Sequence, residues 1–327
     1  MMALRVAGTG SFLPERVLTN DDLSRTLDTS DEWIRSRTGI AARHLLEPGT
    51  PPASMGIAAA GEALRRAGLG AGEVDLLIVA TNVPEEIIPG SAPFIAAGLG
   101  FPHEPPFFDI KAGCAGFVFG MAVAGAMMDS GLARNVLLVG IEALSRFVDW
   151  EDRKTCVLFG DGAGAVALVA ADGDRGILGA ALHGDATKLD LLRIPAGGVR
   201  LPASPETVAA RKHFLHMKGR GVYQSAVTMM ERATLEAAER AGVALADIDW
   251  LLPHQANLRI IEALVKRLGF PRDRVLVNID RVANTSTASI PILLDEAVRA
   301  GRIADGDILA LTAFGAGACY GTVILRW

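Results

Sequence analysis

The sequence predicts an α/β fold built from two duplicated βα halves. Three observations carry this expectation. Apolar runs of strand length alternate with helix-periodic segments along the chain. The apolar runs are continuous, as in sheets covered by helices on both faces. Short patterns recur in the same order in both halves. A chain of 327 residues, half of them hydrophobic and 21% charged, has material for about two units of roughly 100–200 residues each.

Taken in order, residues 4–8 form a strand leading into a Gly/Pro turn. Thr19-Asn20-Asp21-Asp22 opens a helix, because Asn or Asp can accept the free N–H groups of a first turn. Residues 54–67 are helical and end at Gly68, and residues 74–80 are a buried strand. Phe107-Phe108-Asp109-Ile110 is a further short strand. It turns through Ala112-Gly113 and sets Cys114 just before a run of small and apolar residues that stops at Asp129-Ser130-Gly131. With no polar face, that run predicts a helix buried on all sides. Residues 136–139, 164–169 and 177–182 are strands, and residues 188–212, with Pro195, Gly197, Gly198, Pro202 and Pro205, make a long connection between halves. A helix over 221–241 follows, then strand, helix, strand, helix and strand to Trp327.

The doubling is visible at two places. Arg66-Ala67-Gly68 and Val74-Asp75 return 174 residues later as Arg240-Ala241-Gly242 and Ile248-Asp249. Phe159-Gly160-Asp161-Gly162-Ala163-Gly164 is echoed by Phe314-Gly315-Ala316-Gly317-Ala318. A duplicated α/β unit would gather its active residues where the halves meet.

Composition narrows the function. A net charge of -5 without a Lys/Arg cluster argues against nucleic acid as a partner. Cys114, Cys156 and Cys319 form no CxxC pair and no metal-ligand spacing with the six histidines, which predicts no metal and a reducing, cytoplasmic setting. No convincing membrane span or targeting stretch is present.

Three residues carry candidate chemistry. Cys114 before a buried helix would meet unpaired N–H groups and a dipole that lower a thiol pKa from about 8.5 to roughly 3.5–7.5. The competing reading is an inert buried Cys. His254, in Pro253-His254-Gln255-Ala256-Asn257, follows a buried strand and precedes a helix, where open α/β sheets place functional loops. Its alternative is a His satisfied by backbone. Asn284, in Asn284-Thr285-Ser286-Thr287-Ala288-Ser289, is either a polar site residue or the cap of a helix through 290–299. Together a Cys, a His and an Asn can make an acyl-transfer centre: the thiolate attacks a carbonyl while His and Asn N–H groups donate to a developing oxyanion.

The chain resembles the β-ketoacyl-acyl carrier protein synthase III family of the thiolase-like superfamily over essentially its whole length. The motifs are Thr29-Ser30-Asp31-Glu32-Trp33-Ile34, Arg37-Thr38-Gly39-Ile40, Cys114-Ala115-Gly116-Phe117, Phe159 to Gly164, Pro253 to Ile261, Asn284-Thr285-Ser286 and Phe314-Gly315-Ala316-Gly317. The resemblance implies a thiolase-like five-layered αβαβα fold with mixed sheets, and a homodimer. Residues 1–175 would be the half carrying the Cys and the CoA-binding insertions, and residues 176–327 the half carrying His and Asn. Cys114 would accept an acyl group from acyl-CoA, with its own N–H and that of Ala316 as the oxyanion hole. His254 and Asn284 would stabilise the enolate left when malonyl-acyl carrier protein loses CO₂.

By the same resemblance Trp33, Arg37, Arg153 and Asn257 bind CoA. Ile88 and Phe159 border the acyl pocket, and Lys218, Arg220 and Arg259 dock the carrier protein. No cofactor is implied beyond acyl-CoA as substrate. Ile88 stands where the family commonly places Phe at the pocket end, a residue contributed across the dimer, so a longer or more branched primer than acetyl is expected. Arg220 and Gln224 replace the usual Asn and Lys, and Lys111 and Gly113 depart from the usual small apolar neighbours of the nucleophile. The alternative is a related acyltransferase or starter-condensing enzyme of secondary metabolism.

Overall fold

The computed structural model describes residues 2–171 and 173–327. The first half runs β1 (Met2–Phe12), β2 (Val17–Thr19), α1 (Asn20–Ser24), α2 (Asp31–Thr38), β3 (Ala42–His44) and α3 (Ala53–Ala67). It continues with β4 (Leu76–Ala80), α4 (Ala92–Leu99), β5 (Phe107–Ile110), α5 (Gly116–Asp129), β6 (Asn135–Glu142) and β7 (Gly162–Ala170). Then come β8 (Gly176–Gly184), β9 (Leu192–Arg193), α6 (Pro205–Ala209), β10 (His216–Met217) and α7 (Gly219–Ala241). The chain closes with β11 (Trp250–Pro253), α8 (Leu258–Leu268), α9 (Ile279–Val282), α10 (Ser289–Arg299), β12 (Ile308–Phe314) and β13 (Cys319–Arg326).

Local chemistry sets the helix boundaries. Thr19 caps α1 through a reciprocal box with Asp22. Ser30 accepts the Trp33 N–H at the start of α2, and Gly39, at φ +81°, ends that helix in the left-handed region. In α5, Phe117, Val118 and Met121 are fully buried, and each such side chain contributes about 1.5–3 kcal/mol.

Nine strands form one mixed sheet in the order β11-β12-β13-β8-β1-β7-β6-β4-β5, and β2 with β3 and β9 with β10 form two small separate ribbons. Strand β4 runs parallel to β5 and β6, β11 runs parallel to β12, and the remaining pairings are antiparallel. The β11-β12-β13-β8 part of the sheet joins the β1-β7-β6-β4-β5 part, among the described residues, where Met2 and Ala3 meet Ile177 and Gly176. This short seam lets the sheet fold into two layers that face each other. Helices α5 and α10 fill the space between them, touching β1 and β6 on one side and strands of the β8–β13 set on the other. Helices α3 and α4 cover the outer face of the first layer, and α7 and α8 that of the second. The result is five layers, αβαβα, with three apolar cores between them.

Two expectations need correction. No strand forms between α8 and α10. The chain there makes a single bridge, Val275 to Leu251, before the Asn278 N–H turns to the Gln255 side chain, and the two closing strands β12 and β13 instead form a hairpin-like pair. Helix α5 is not buried all round: Phe119, Val123 and Met127 are half-buried and Ala126 is exposed, a stripe on one helix face. The connection over 188–212 contains β9, paired with β10, and the Ser204-capped helix α6.

Candidate active site

Each reactive side chain sits where one half of the chain presses on the other. Cys114 follows edge strand β5 through a turn in which Gly113 has φ +58°. A Cβ on Gly113 would lie 2.3 Å from the Ala316 N, and one on Gly315 only 2.1 Å from the Cys114 N. Only glycine permits this approach of two backbones. The Gly116 N–H donates to the Gly113 carbonyl at 3.0 Å and starts α5 directly after the thiol.

The thiol is 8% exposed, and the Ser286 hydroxyl lies 3.3 Å from its Sγ. Burial pushes the thiol up to about 12; Ser286 works against the rise and the Glu142 carboxylate adds to it. The expected lowering is thus reversed in the resting protein. A thiolate here would lose its water without gaining a cation.

His254 ends β11, where the Thr312 carbonyl of β12 accepts its backbone N–H at 2.8 Å. Its Nδ1 lies 2.7 Å from Ser289 Oγ, the first residue of α10. That oxygen also accepts the Gln255 N–H at 3.4 Å, and either tautomer of the ring satisfies the Nδ1 contact. Nε2 has no partner among the described residues. Burial drives the imidazole down to about 3, so the ring stays neutral near pH 7.

Asn284 lies beside Phe159, held by its own N–H on the Leu158 carbonyl and by the Gly160 N–H on its carbonyl, both at 3.0 Å. It is not the cap of α10, whose N-cap position is held by Ala288 without a side-chain hydrogen bond. Its Oδ1 accepts the Ser286 N–H at 2.9 Å, leaving Nδ2 without a protein partner among the described residues. Ala283 and Ser286, on either side, have φ of +60° and +52°, a concentration of backbone strain of the kind found at functional sites.

Cys114, His254 and Asn284 line one cavity of about 590 Å³ together with Trp33, Arg37, Arg153, Asn257, Phe159, Arg220 and Arg259. Toward the mouth, the Arg153 guanidinium carbon lies 5.4 Å from the centre of the Trp33 ring, a cation–π contact. Arg153 also donates to the Asp28 carbonyl and carboxylate. Asn257 caps α8 and donates to the Arg37 carbonyl at 3.1 Å, tying α8 to α2. Three expected residues are not part of this cavity's lining. Ala316 lies behind it, its N against the Gly113 turn, Lys218 is exposed beside a neighbouring polar cleft, and Ile88 is 83% exposed on a loop before Pro89. Among the described residues no group of His, Cys, Asp and Glu is placed to hold a metal, and no helix is long and apolar enough to cross a membrane.

Residues 108–186 match the family model for 3-oxoacyl-[acyl-carrier-protein (ACP)] synthase III, and residues 238–327 match that of its C-terminal part. Curated β-ketoacyl-[acyl-carrier-protein] synthase III proteins align along the whole chain. That of Symbiobacterium thermophilum is 47% identical, covering 98% of this chain and 97% of its own. That of Xanthomonas campestris is 48% identical, covering 99% and 98%. The chain belongs to the β-ketoacyl-[acyl-carrier-protein] synthase III family. It is an acyltransferase with a thiolase-like fold. The crystal structure of the Aquifex aeolicus 3-oxoacyl-[acyl-carrier-protein] synthase III superposes with a TM-score of 0.91 at 42% identity, over 99% of this chain and 100% of that one. The priming β-ketosynthase of the R1128 polyketide pathway gives 0.92 at 35% identity, over 99% and 96%.

Four residues of this synthase-family site escaped the sequence reading as functional groups: Asn82, Glu142, Ser286 and Ser289. Glu142 left one signal, a lone acid closing an otherwise apolar buried strand. The serines left less, because both sit in a polar stretch where any hydroxyl could be a turn residue.

Proposed function

We propose that this synthase loads an acyl group from acyl-CoA onto Cys114 and condenses it with malonyl-acyl carrier protein, starting fatty-acid synthesis. The observation that carries the reading is the single cavity holding the Cys114 thiol, the free Nε2 of a neutral His254, and the free Nδ2 of Asn284.

Cys114 Sγ attacks the acyl carbonyl, and the N–H groups of Cys114 and Ala316 receive the oxyanion. CoA leaves as the thiol and the acyl-enzyme remains. The malonyl thioester then enters, and its carbonyl oxygen sits against His254 Nε2–H and Asn284 Nδ2–H. Loss of CO₂ puts negative charge on that oxygen, and two aimed neutral donors stabilise the charge only once it forms. Each is worth ~10²–10³ in rate. The enolate carbon attacks the Cys114 thioester, releasing the β-ketoacyl carrier protein. A neutral imidazole suits this role because it needs no proton from solvent.

Trp33 and Arg153 are read as the pair that stacks the CoA adenine, which on entry displaces the guanidinium from the ring. Arg37 and Asn257 are read as tunnel contacts, and Lys218, Arg220 and Arg259 as the basic rim for an acidic carrier protein. The halves 1–175 and 176–327 are read as the duplicated units, each supplying part of the centre. We read the enzyme as a homodimer. Edge strand β5 leaves Phe107 45% exposed and lies near Ile87 and Ile88, 79% and 83% exposed, so a second copy would bury them and bring Ile88 to the partner's acyl pocket. Three free thiols suit a cytoplasmic setting.

The test is intact-mass labelling with a panel of acyl-CoAs, on wild type and Cys114→Ala, followed by malonyl-carrier protein. The expected result is a single adduct, lost in Cys114→Ala and discharged with CO₂ release. An adduct that transfers without CO₂ would mark an acyltransferase of secondary metabolism, and an adduct that survives Cys114→Ala would remove the nucleophile.

A further inference from the structure

Behind the thiol lies a charged group that the reaction above does not use. Glu142 ends β6, is fully buried, and its Oε1 accepts four hydrogen bonds. They come from the Asn82 N–H at 3.0 Å, Asn82 Nδ2 at 2.6 Å, Ser286 Oγ at 3.1 Å and Thr287 Oγ1 at 3.2 Å. Its Oε2 is buried with no partner among the described residues. A buried carboxylate ordinarily has a cation beside it, and this one has none. Across the sheet β7 presents only Gly162, the loop after β4 presents Asn82, and the turn at 286–288 presents two hydroxyls. The titratable group it faces is Cys114, one hydroxyl away.

That hydroxyl is held with care. Ser286 has φ +52°, a conformation a non-glycine residue keeps only where its surroundings impose it. It sets Oγ 3.3 Å from Cys114 Sγ and 3.1 Å from Glu142 Oε1, with Asn82 Nδ2 donating to the same oxygen at 3.2 Å. We propose that Glu142 is a positioning residue for acylation, drawing the Cys114 proton through the Ser286 hydroxyl as the sulfur attacks the acyl donor.

The inference rests on Cys114 as the nucleophile. In the step, the Sγ proton passes to Ser286 Oγ while the Ser286 proton passes to Glu142 Oε1. The Sγ–carbonyl carbon bond forms, the bond from that carbon to the CoA sulfur breaks, and the departing CoA thiolate takes the proton back from Glu142 through Ser286 Oγ, which leaves Glu142 ionised and Ser286 protonated as before. His254 is the poorer acceptor, since burial holds it at about 3, whereas burial raises Glu142 to about 7. Glu142 must be ionised to accept, so acylation speeds up as pH rises through neutrality. In the resting state the same negative charge helps keep the thiol protonated.

The test is single-turnover acylation followed by intact mass between about pH 5.5 and 8.5, a range bracketing a general base poised near neutrality. The probe is the best-loading member of an acetyl- to octanoyl-CoA series. Wild type should show a limb rising with pH and levelling near neutrality. Glu142→Gln should lower the plateau by about 10–100-fold and abolish the limb. Should Glu142→Gln fail to fold, Ser286→Ala serves instead. It keeps the other three hydrogen bonds to Oε1 and the Ser286 N–H on Asn284, and it should flatten the limb in the same way. A limb that survives unchanged in either variant, with wild type acylated on Cys114, overturns the relay alone. Absence of any Cys114 adduct in wild type overturns the nucleophile and the relay with it.

Discussion

The contact between the Cys114 and Gly315 turns gives a prediction whose size can be worked from distances. In Gly315→Ala the new Cβ falls 2.1 Å from the Cys114 N and 2.7 Å from the Gly113 carbonyl carbon. Ordinary contact needs about 3.5–4.0 Å, so the two turns must part by more than about 1 Å. A displacement of that size between reacting groups costs about 10²-fold in rate. The overpacking itself costs about 1–3 kcal/mol of stability. Gly179→Ala is the control, because its Cβ would crowd the Ala241 N at 2.6 Å between β8 and α7, away from the thiol. Single-turnover acylation by mass, read beside thermal melts, separates the effects. Both variants should melt lower, and only Gly315→Ala should lose acylation by about 100-fold. A folded Gly315→Ala enzyme that acylates as fast as wild type would refute the claim that the approach of these turns aligns the nucleophile.

Two further outcomes are expected. His254 binds its proton less readily folded, at about 3, than its ordinary 6.5, so the unfolded chain holds more protons between those values and stability falls as pH drops through that window. Denaturant midpoints should show wild type losing roughly 3 kcal/mol more than His254→Gln between pH 7 and pH 4, and equal losses would contradict a buried neutral ring. Trp33→Ala should raise KM for acyl-CoA by about 5–150-fold, the equivalent of about 1–3 kcal/mol of base stacking. It should leave acyl-pantetheine, which lacks the adenine, unaffected; an equal loss with both donors would move Trp33 out of the adenine site.

Much of this architecture was legible because single residues had few alternatives. Apolar runs such as Leu76–Ala80 are strands on any reading, and Gly39, Gly68, Gly242 and Gly269 each end a helix at positive φ. The reactive trio was legible from its flanking motifs, which tie residues far apart in the chain to one chemistry. What stayed hidden depends on tertiary neighbours. A strand is expected between α8 and α10, yet Asn278 finds its partner in Gln255 rather than in a ladder. The Cys114 thiol read as acidified by a helix end, but burial without a cation decides its proton. Glu142, Asn82 and Ser286 come from three distant segments, and nothing local in any of them reveals that they meet.

The backbone contact between the Gly113 and Gly315 turns has a consequence for sequence change. The thiol comes from one segment of the chain and the imidazole and amide from segments more than a hundred residues away, and the two glycine turns touch backbone to backbone. Neither turn can gain a side chain without moving the other, so a change at one is constrained by a partner remote in sequence.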